Sequence, residues 1–219
     1  IRVPAVYSDL CSRRVLVTGV APGFHWPQII DPPAQRQRDL HARSIFEFYV
    51  RSMCQGFFHA DPSHGNVKFH GDQVYFIDFG SCKRWPSAQM RAWRDLIKSI
   101  LYQDSRLFAT AIDDIGFSKF QRNYNYQAAF AAFGPQAMGL WAQEGASSIQ
   151  RDVLIQHFTE IFSPAAVRGR TVSGSLDMHI PPDYLLAFRA YFGMLFLVAD
   201  LNVKVDWHRL TKEIVENIP

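Results

Sequence analysis

The stretch GFFHADPSHGNVKFHGDQVYFIDFG, Gly56 to Gly80, constrains this chain more than any other part of it. Two short apolar runs, Asn66 to Phe69 and Val74 to Ile77, flank the turn-forming triplet His70-Gly71-Asp72. That pattern predicts a two-stranded hairpin. Polar residues that a hairpin does not itself need bracket it. His59 and Asp61 precede it, Asn66 stands five residues after Asp61, and Asp78-Phe79-Gly80 follows. A hairpin brings the chain back on itself, so Asn66 and Asp78, twelve positions apart, can face one ion.

The order His-x-Asp, Asn, then Asp-Phe-Gly is that of a kinase catalytic loop followed by its metal loop. Phosphoryl transfer asks for positioning and charge neutralisation more than for covalent chemistry. Asp61 would sit where the nucleophile's proton departs. Asn66 and Asp78 would hold magnesium, which takes few protein oxygens and completes its shell with phosphates and waters. Each residue alone has a bland reading. Asp61 before Pro62 suits a turn or cap, Asn66 a turn, and Asp78 an ion-paired strand end. The joint spacing favours the site. His59 reads as structural, and His64 as a solvated loop histidine or a phosphate contact.

The remaining sequence is mostly helical in pattern. Arg14 to Thr18 is β-branched and apolar and reads as a buried strand, broken by Gly19 and Pro22-Gly23. A Pro-rich loop, Pro27 to Ala34, precedes a helix over 37–58. Trp93, Leu96, Ile97, Ile100 and Leu101 form one helical stripe, and Leu107 to Ile115 a second helix closed by Gly116. Helices are expected near 124–143, 148–162 and 183–200, with a loop over 163–182. The fold class is therefore α+β, mainly α: a kinase-like C-lobe whose small hairpin carries the catalytic and metal loops. The expected division is 1–26, the end of an N-lobe strand and a hinge-like segment, and 27–219, the helical lobe.

Composition narrows the function classes. The chain has 219 residues, 48% of them hydrophobic, which supports a packed core and excludes a disordered polymer. Net charge is +3, and the excess lies in the first 60 residues, seven arginines against four acids. That is no nucleic-acid footprint. Cys11, Cys54 and Cys82 are too few and too scattered for a disulfide framework or a zinc cluster. Cys82 reads as a plain free cysteine, with a reactive thiol as the alternative. Tyr184 to Leu201, the most apolar stretch, contains Arg189 and falls short of the ~20 apolar residues of a bilayer span. The 18 Phe and five Trp fall mainly on helical stripes, which favours core packing over a lipid-facing surface. The start, Ile1-Arg2-Val3-Pro4, has no Met and no signal-peptide pattern and reads as the start of a fragment.

Phe57-Phe58-His59-Ala60-Asp61-Pro62-Ser63-His64-Gly65-Asn66 resembles the loop of the UbiB/ADCK family of atypical kinases, usually F-H-A-D-P-H-P-G-N. The resemblance extends from Val3-Pro4 to Gly23, as strand and hinge, through the Asp-Asp-Ile-Gly element ending at Gly116. It closes on Pro181-Pro182-x-Tyr184-Leu185-Leu186-x-Phe188-Arg189-Ala190. No Ala-Pro-Glu segment follows the metal loop. The resemblance implies ATP and Mg2+ as cofactors, with Asp61 catalytic and Asn66 and Asp78 binding nucleotide and metal. It further implies a role in ubiquinone or related prenyl-quinone synthesis, with lipid intermediates and quinone-synthesis proteins as partners and peripheral membrane contact. The implied location is the matrix side of the mitochondrial inner membrane or a bacterial cytoplasmic membrane face.

Three departures set a rival reading beside this one. Ser63-His64 replaces His-Pro, and Thr18-Gly19 stands where the hinge usually carries an acid. The family's phosphate-covering loop, strand Lys, partner Glu and Lys-x-Gly-Gln element are not among these residues. They would lie upstream, come from a partner chain, or have been lost. The rival is a degenerate kinase fold with a structural role in a larger assembly. An aminoglycoside- or choline-kinase-like phosphotransferase shares the His-x-Asp and Asn spacing but fits the flanking residues less well.

Overall fold

The computed structural model describes residues 1–25, 34–119, 123–132, 144–161 and 180–218. Helices dominate them: α1 (Gln35–Cys54), α2 (Ser87–Leu101), α3 (Ser105–Ile115), α4 (Tyr126–Ala132), α5 (Arg151–Ile161), α6 (Pro182–Ala199) and α7 (Trp207–Glu216). Between α1 and α2 lie β1 (Phe57–His59), β2 (Val67–His70), β3 (Gln73–Phe76) and β4 (Cys82–Arg84). This is the mainly helical α+β arrangement that the sequence predicts.

The helical stripes become the core. Trp93, Leu96, Ile97, Ile100 and Leu101 of α2 are all buried, as are Phe108, Ala111, Ile112 and Ile115 of α3. Asp104 caps α3 by accepting from the N–H groups of Arg106 and Leu107, both at 3.0 Å. Gly116 ends it in the left-handed region, φ 92°. Helix α1 buries Ile45, Phe46, Tyr49, Val50 and Met53, and packs against α6 and α7. Aromatic rings fill the centre, with Trp85 between Trp93 and Tyr184, and Phe46 against Trp207. The described aromatic residues of the helices are thus largely core, as their spacing suggests. Helix α6 is long and apolar enough by composition to cross a membrane, yet over half of it is buried inside this fold.

Two antiparallel pairs position the site. The expected hairpin is β2–β3, with Val67 opposite Phe76 and Phe69 opposite Val74. The second pair, β1–β4, sets His59 opposite Cys82 and Phe57 opposite Arg84. The helix expected over 37–58, with Gly56 as its stop, ends at Cys54; Gly56, at φ 74°, turns the chain so that Phe57 and Phe58 enter β1.

Residues 14–18 do not form the expected buried strand. Val6 with Thr18, and Ser12 with Val15, make only isolated bridges, and Leu16 is 72% exposed. A strand buries its side chains only where a second layer covers them. Here Leu16 and Thr18 line an open cleft instead. The first 25 residues are anchored to the hairpin at both edges: Arg2 pairs with Tyr75, and Phe24 with Phe69. The boundary at residue 26 and the Pro-rich loop over 27–33 fall outside the described residues. So do 133–143 of the expected helix over 124–143 and nearly all of the loop over 163–182.

Candidate functional site

The β1–β4 pair brings the two polar loops together. Strand β1 runs into Asp61, and β4 follows directly from Asp78-Phe79-Gly80. The Ala60 N–H donates to the Ser81 carbonyl at 2.7 Å, extending the pair by one residue.

His59, 2% exposed, joins the loops chemically. Its Nδ1 accepts from the Asp61 backbone N–H at 3.2 Å, so its Nε2 carries the proton and donates to the Asp78 carbonyl at 2.8 Å. The buried Tyr49 phenol, its pKa raised by burial and then by the Asp61 carboxylate, lies 3.4 Å from Nδ1. The structural reading of His59 therefore holds, and its role is to fix Asp61 relative to Asp78.

Asn66 is buried, and its Nδ2 donates to both the Asp61 carbonyl and the Asp61 Oδ2, each at 3.0 Å. Both bonds use the nitrogen, which leaves the amide oxygen to serve a cation. Asp78 adopts the left-handed conformation, φ 58° and ψ 71°, and its Oδ1 accepts from the Gly80 N–H at 3.2 Å. A non-glycine residue held there is a strained position of the kind that collects at functional sites.

Helix α6 holds this loop from the other side. Arg189 forms an ion pair with the Asp61 Oδ1. One turn on, Gly193 lies against Pro62, so close that a Cβ would stand 2.2 Å from the proline Cγ. At the end of the helix Asp200 accepts from His64 Nε2 at 2.8 Å and from Arg151 at 2.6 Å. His64 is thus an anchored loop residue. Arg189 is the functional neighbour that the sequence reading missed as such. It lies 128 positions from Asp61, and no local signal marks that pairing.

A cleft of about 810 Å3 lies beside these loops, lined among others by Val3, Val6, Leu16, Thr18, Lys68 and Asp78. That size suits a nucleotide-sized ligand. Lys68 Nζ donates to the Ala21 carbonyl at 2.8 Å, and His25 Nδ1 lies 3.1 Å from the His64 carbonyl and 3.0 Å from that of Val67. Gly23, φ 90°, is required where the chain meets β2: a Cβ there would stand 2.0 Å from the Phe69 carbonyl oxygen.

Among the described residues no three His, Cys, Asp or Glu side chains gather to hold a metal by themselves. A carboxylate at Asp78 and an amide oxygen at Asn66 fit magnesium, which leaves most of its shell to phosphate and water. The Cys82 thiol is raised by burial and by the Asp78 carboxylate, which disfavours the reactive-thiol alternative.

Comparison with known proteins agrees with this geometry. A protein of Mycobacterium tuberculosis solved in complex with erythromycin matches with a TM-score of 0.70 at 18% identity, over 97% of this chain and 52% of its own. The protein Activity of bc1 complex kinase 7, chloroplastic, of Arabidopsis thaliana is 29% identical over 110 residues, 48% of this chain and 16% of that relative. An uncharacterised protein from the hydrogenase 1 5′ region of Clostridium pasteurianum is 23% identical over 127 residues, 57% of this chain and 24% of that relative. The aligned region is thus a minor part of these curated relatives. The model of the ABC1 atypical kinase-like domain matches residues 1–111, half of the chain and all of the loops described above. With the fold, the loop spacing and that match in agreement, the chain belongs to the ABC1 atypical kinase-like family.

Proposed function

We propose that this lobe binds a magnesium–nucleoside triphosphate, ATP being the nucleotide that the family resemblance implies, and belongs to an ATPase or atypical kinase. The observation that carries the reading is the joined geometry of three polar residues. Asn66 is bonded to Asp61, His59 ties Asp61 to the Asp78 carbonyl, and Asp78 lines the cleft. In this reading Asn66 and Asp78 hold magnesium, which neutralises charge on the phosphates. Asp61 accepts a proton from, or orients, the attacking hydroxyl or water. The wider role in prenyl-quinone synthesis at a mitochondrial or bacterial membrane, with quinone-synthesis proteins as partners, rests on the resemblance alone. The same holds for a division near residue 26 into hinge segment and helical lobe, and for an N-lobe supplied upstream or by another chain.

One observation favours the rival scaffold reading: Arg189 already occupies an oxygen of Asp61, the candidate base. A thermal-melt comparison separates the two. A ligand present at ~100 times its Kd stabilises by about 2.7 kcal/mol. With Mg-ATP or Mg-GTP the full natural protein should melt higher, in a magnesium-dependent way, and Asp78→Asn should abolish the rise. No rise with any magnesium nucleotide in the natural protein would leave the scaffold reading standing.

A further inference from the structure

Asp61 divides its carboxylate between two partners of different character. Its Oδ2 accepts from the Asn66 Nδ2 at 3.0 Å, a bond made within the loop by a buried residue. Its Oδ1 pairs with Arg189, which reaches in from α6. The Arg189 side chain is 60% exposed, so packing does not lock it, and ion pairs this open contribute little to stability. Its backbone is fixed nonetheless. One turn on, Gly193 lies against Pro62, the residue next to Asp61. Arg189 can therefore leave Asp61 by side-chain rotation alone, with α6 and the loop staying in place.

Charge gives the guanidinium somewhere to go. Two carboxylates, Asp61 and Asp78, flank the place assigned to magnesium and the phosphates. A triphosphate that has bound one magnesium ion still carries net negative charge. Lys68, on the cleft wall, is turned to the Ala21 carbonyl. Arg189 stands on the other side, one carboxylate away from Asn66. Magnesium sits about 2 Å from its oxygen ligands, so phosphate on an ion held by Asn66 comes within the sweep of this long side chain. A guanidinium presents five N–H donors in a fork that fits phosphate at two points. A terminal phosphate, with more charge and more oxygens than one carboxylate, is the better partner for that fork.

We propose that Arg189 is a phosphate-binding residue with two positions. Without nucleotide it covers the Asp61 Oδ1, and a magnesium–nucleoside triphosphate draws it onto the terminal phosphate. The move frees Oδ1 to take or orient the acceptor's proton while Asn66 keeps Oδ2 in place. Asp61 thus becomes available as a base only when the phosphoryl donor is bound. The proposal rests on the reading of Asp61, Asn66 and Asp78 as a magnesium–nucleotide site, and adds a residue and a switch to it.

The test is calorimetric titration of the full natural protein with the magnesium complexes of ADP and of the non-hydrolysable β,γ-imido analogue of ATP. Arg189→Met, Arg189→Lys, Asp61→Asn and the double variant of Asp61→Asn with Arg189→Met are titrated beside it. Arg189→Met should weaken the analogue about 10-fold or more, as loss of a charge-assisted bond to phosphate does, and leave ADP unchanged. Arg189→Lys keeps the charge and loses the fork, so it should fall between; it stands in if the methionine variant does not fold. Asp61→Asn removes the competing carboxylate and should tighten the analogue about 2- to 5-fold. That tightening should disappear in the double variant, whereas simple relief of negative charge would persist there. The proposal is overturned if the Arg189 variants bind the analogue as the natural protein does, or weaken analogue and ADP alike. It is also overturned if Asp61→Asn brings no tightening, or one that survives without Arg189. Each of these results leaves the nucleotide site standing. Failure of the natural protein to bind either nucleotide would remove the site reading and this proposal together.

Discussion

Gly193→Ala gives a decisive check on how α6 meets the catalytic loop, because local and tertiary arguments disagree in sign. In the interior of an exposed helix the change from Gly to Ala is stabilising by about 1 kcal/mol. Here a Cβ would stand 2.2 Å from the Pro62 Cγ, 3.1 Å from its Cβ and 3.2 Å from its carbonyl oxygen. Carbon atoms rest about 3.5–4.0 Å apart, so loop and helix must separate by more than about 1 Å. The proline ring cannot swing aside. The loop is pinned on either side of it by Arg189 on Asp61 and by Asp200 on His64. Overpacking of this kind costs about 1–3 kcal/mol, and a contact this short belongs near the upper end. After the helix gain the net loss is about 2 kcal/mol. At about 2–4 °C per kcal/mol for a chain of this size, the midpoint should fall by roughly 4–8 °C. Circular dichroism melts of both proteins measure it. Pro62→Ala removes the offending Cγ, so in the Gly193→Ala background it should recover about 1–2 kcal/mol of coupling. A Gly193→Ala midpoint at or above that of the natural protein, or no relief from Pro62→Ala, would refute the packing argument.

Three further outcomes follow from buried polar groups. His59→Ala should cost about 2–4 kcal/mol, because it empties a buried site and leaves the Asp78 carbonyl and the Asp61 N–H without their partner. Denaturant unfolding reads the loss, and any nucleotide-induced stabilisation should vanish with it; an unchanged midpoint would sink the role given to His59. Burial holds the His41 imidazole below its ordinary value; Nε2 lies 2.8 Å from the Gly71 carbonyl, and Nδ1 is buried without a partner. The unfolded state then binds the proton more readily, so stability is full above about pH 6.5 and falls as the pH drops below it. Melts between pH 7.5 and 5.5 should show that loss, reduced in His41→Phe. The Cys54 thiol is pushed up to about 12 by burial, so iodoacetamide at pH 8 should spare it in the native protein and label it only after denaturation. Mass spectrometry of the labelled peptides distinguishes the two states, and native labelling of Cys54 would contradict its burial.

Much of the fold was legible along the chain. The stripe from Trp93 to Leu101, the glycine stop at Gly116 and the hairpin about His70-Gly71-Asp72 are local patterns, and the structure realises all three. The bonding of Asn66 to Asp61 is local too, since five residues of loop suffice to turn one toward the other. Periodicity reports only which face of an element is apolar, and it is silent on what covers that face. Residues 14–18 therefore read as a buried strand, yet Leu16 and Thr18 line an open cleft. The three-residue strands β1 and β4 are too short to carry a period, and they exist because each supplies the other's hydrogen bonds. The cation on Asp61, the helix against Pro62 and the lysine on Ala21 join residues 128, 131 and 47 positions apart. Only tertiary packing decides such pairs, because their partners are chosen by which surfaces the core brings together and not by spacing along the chain.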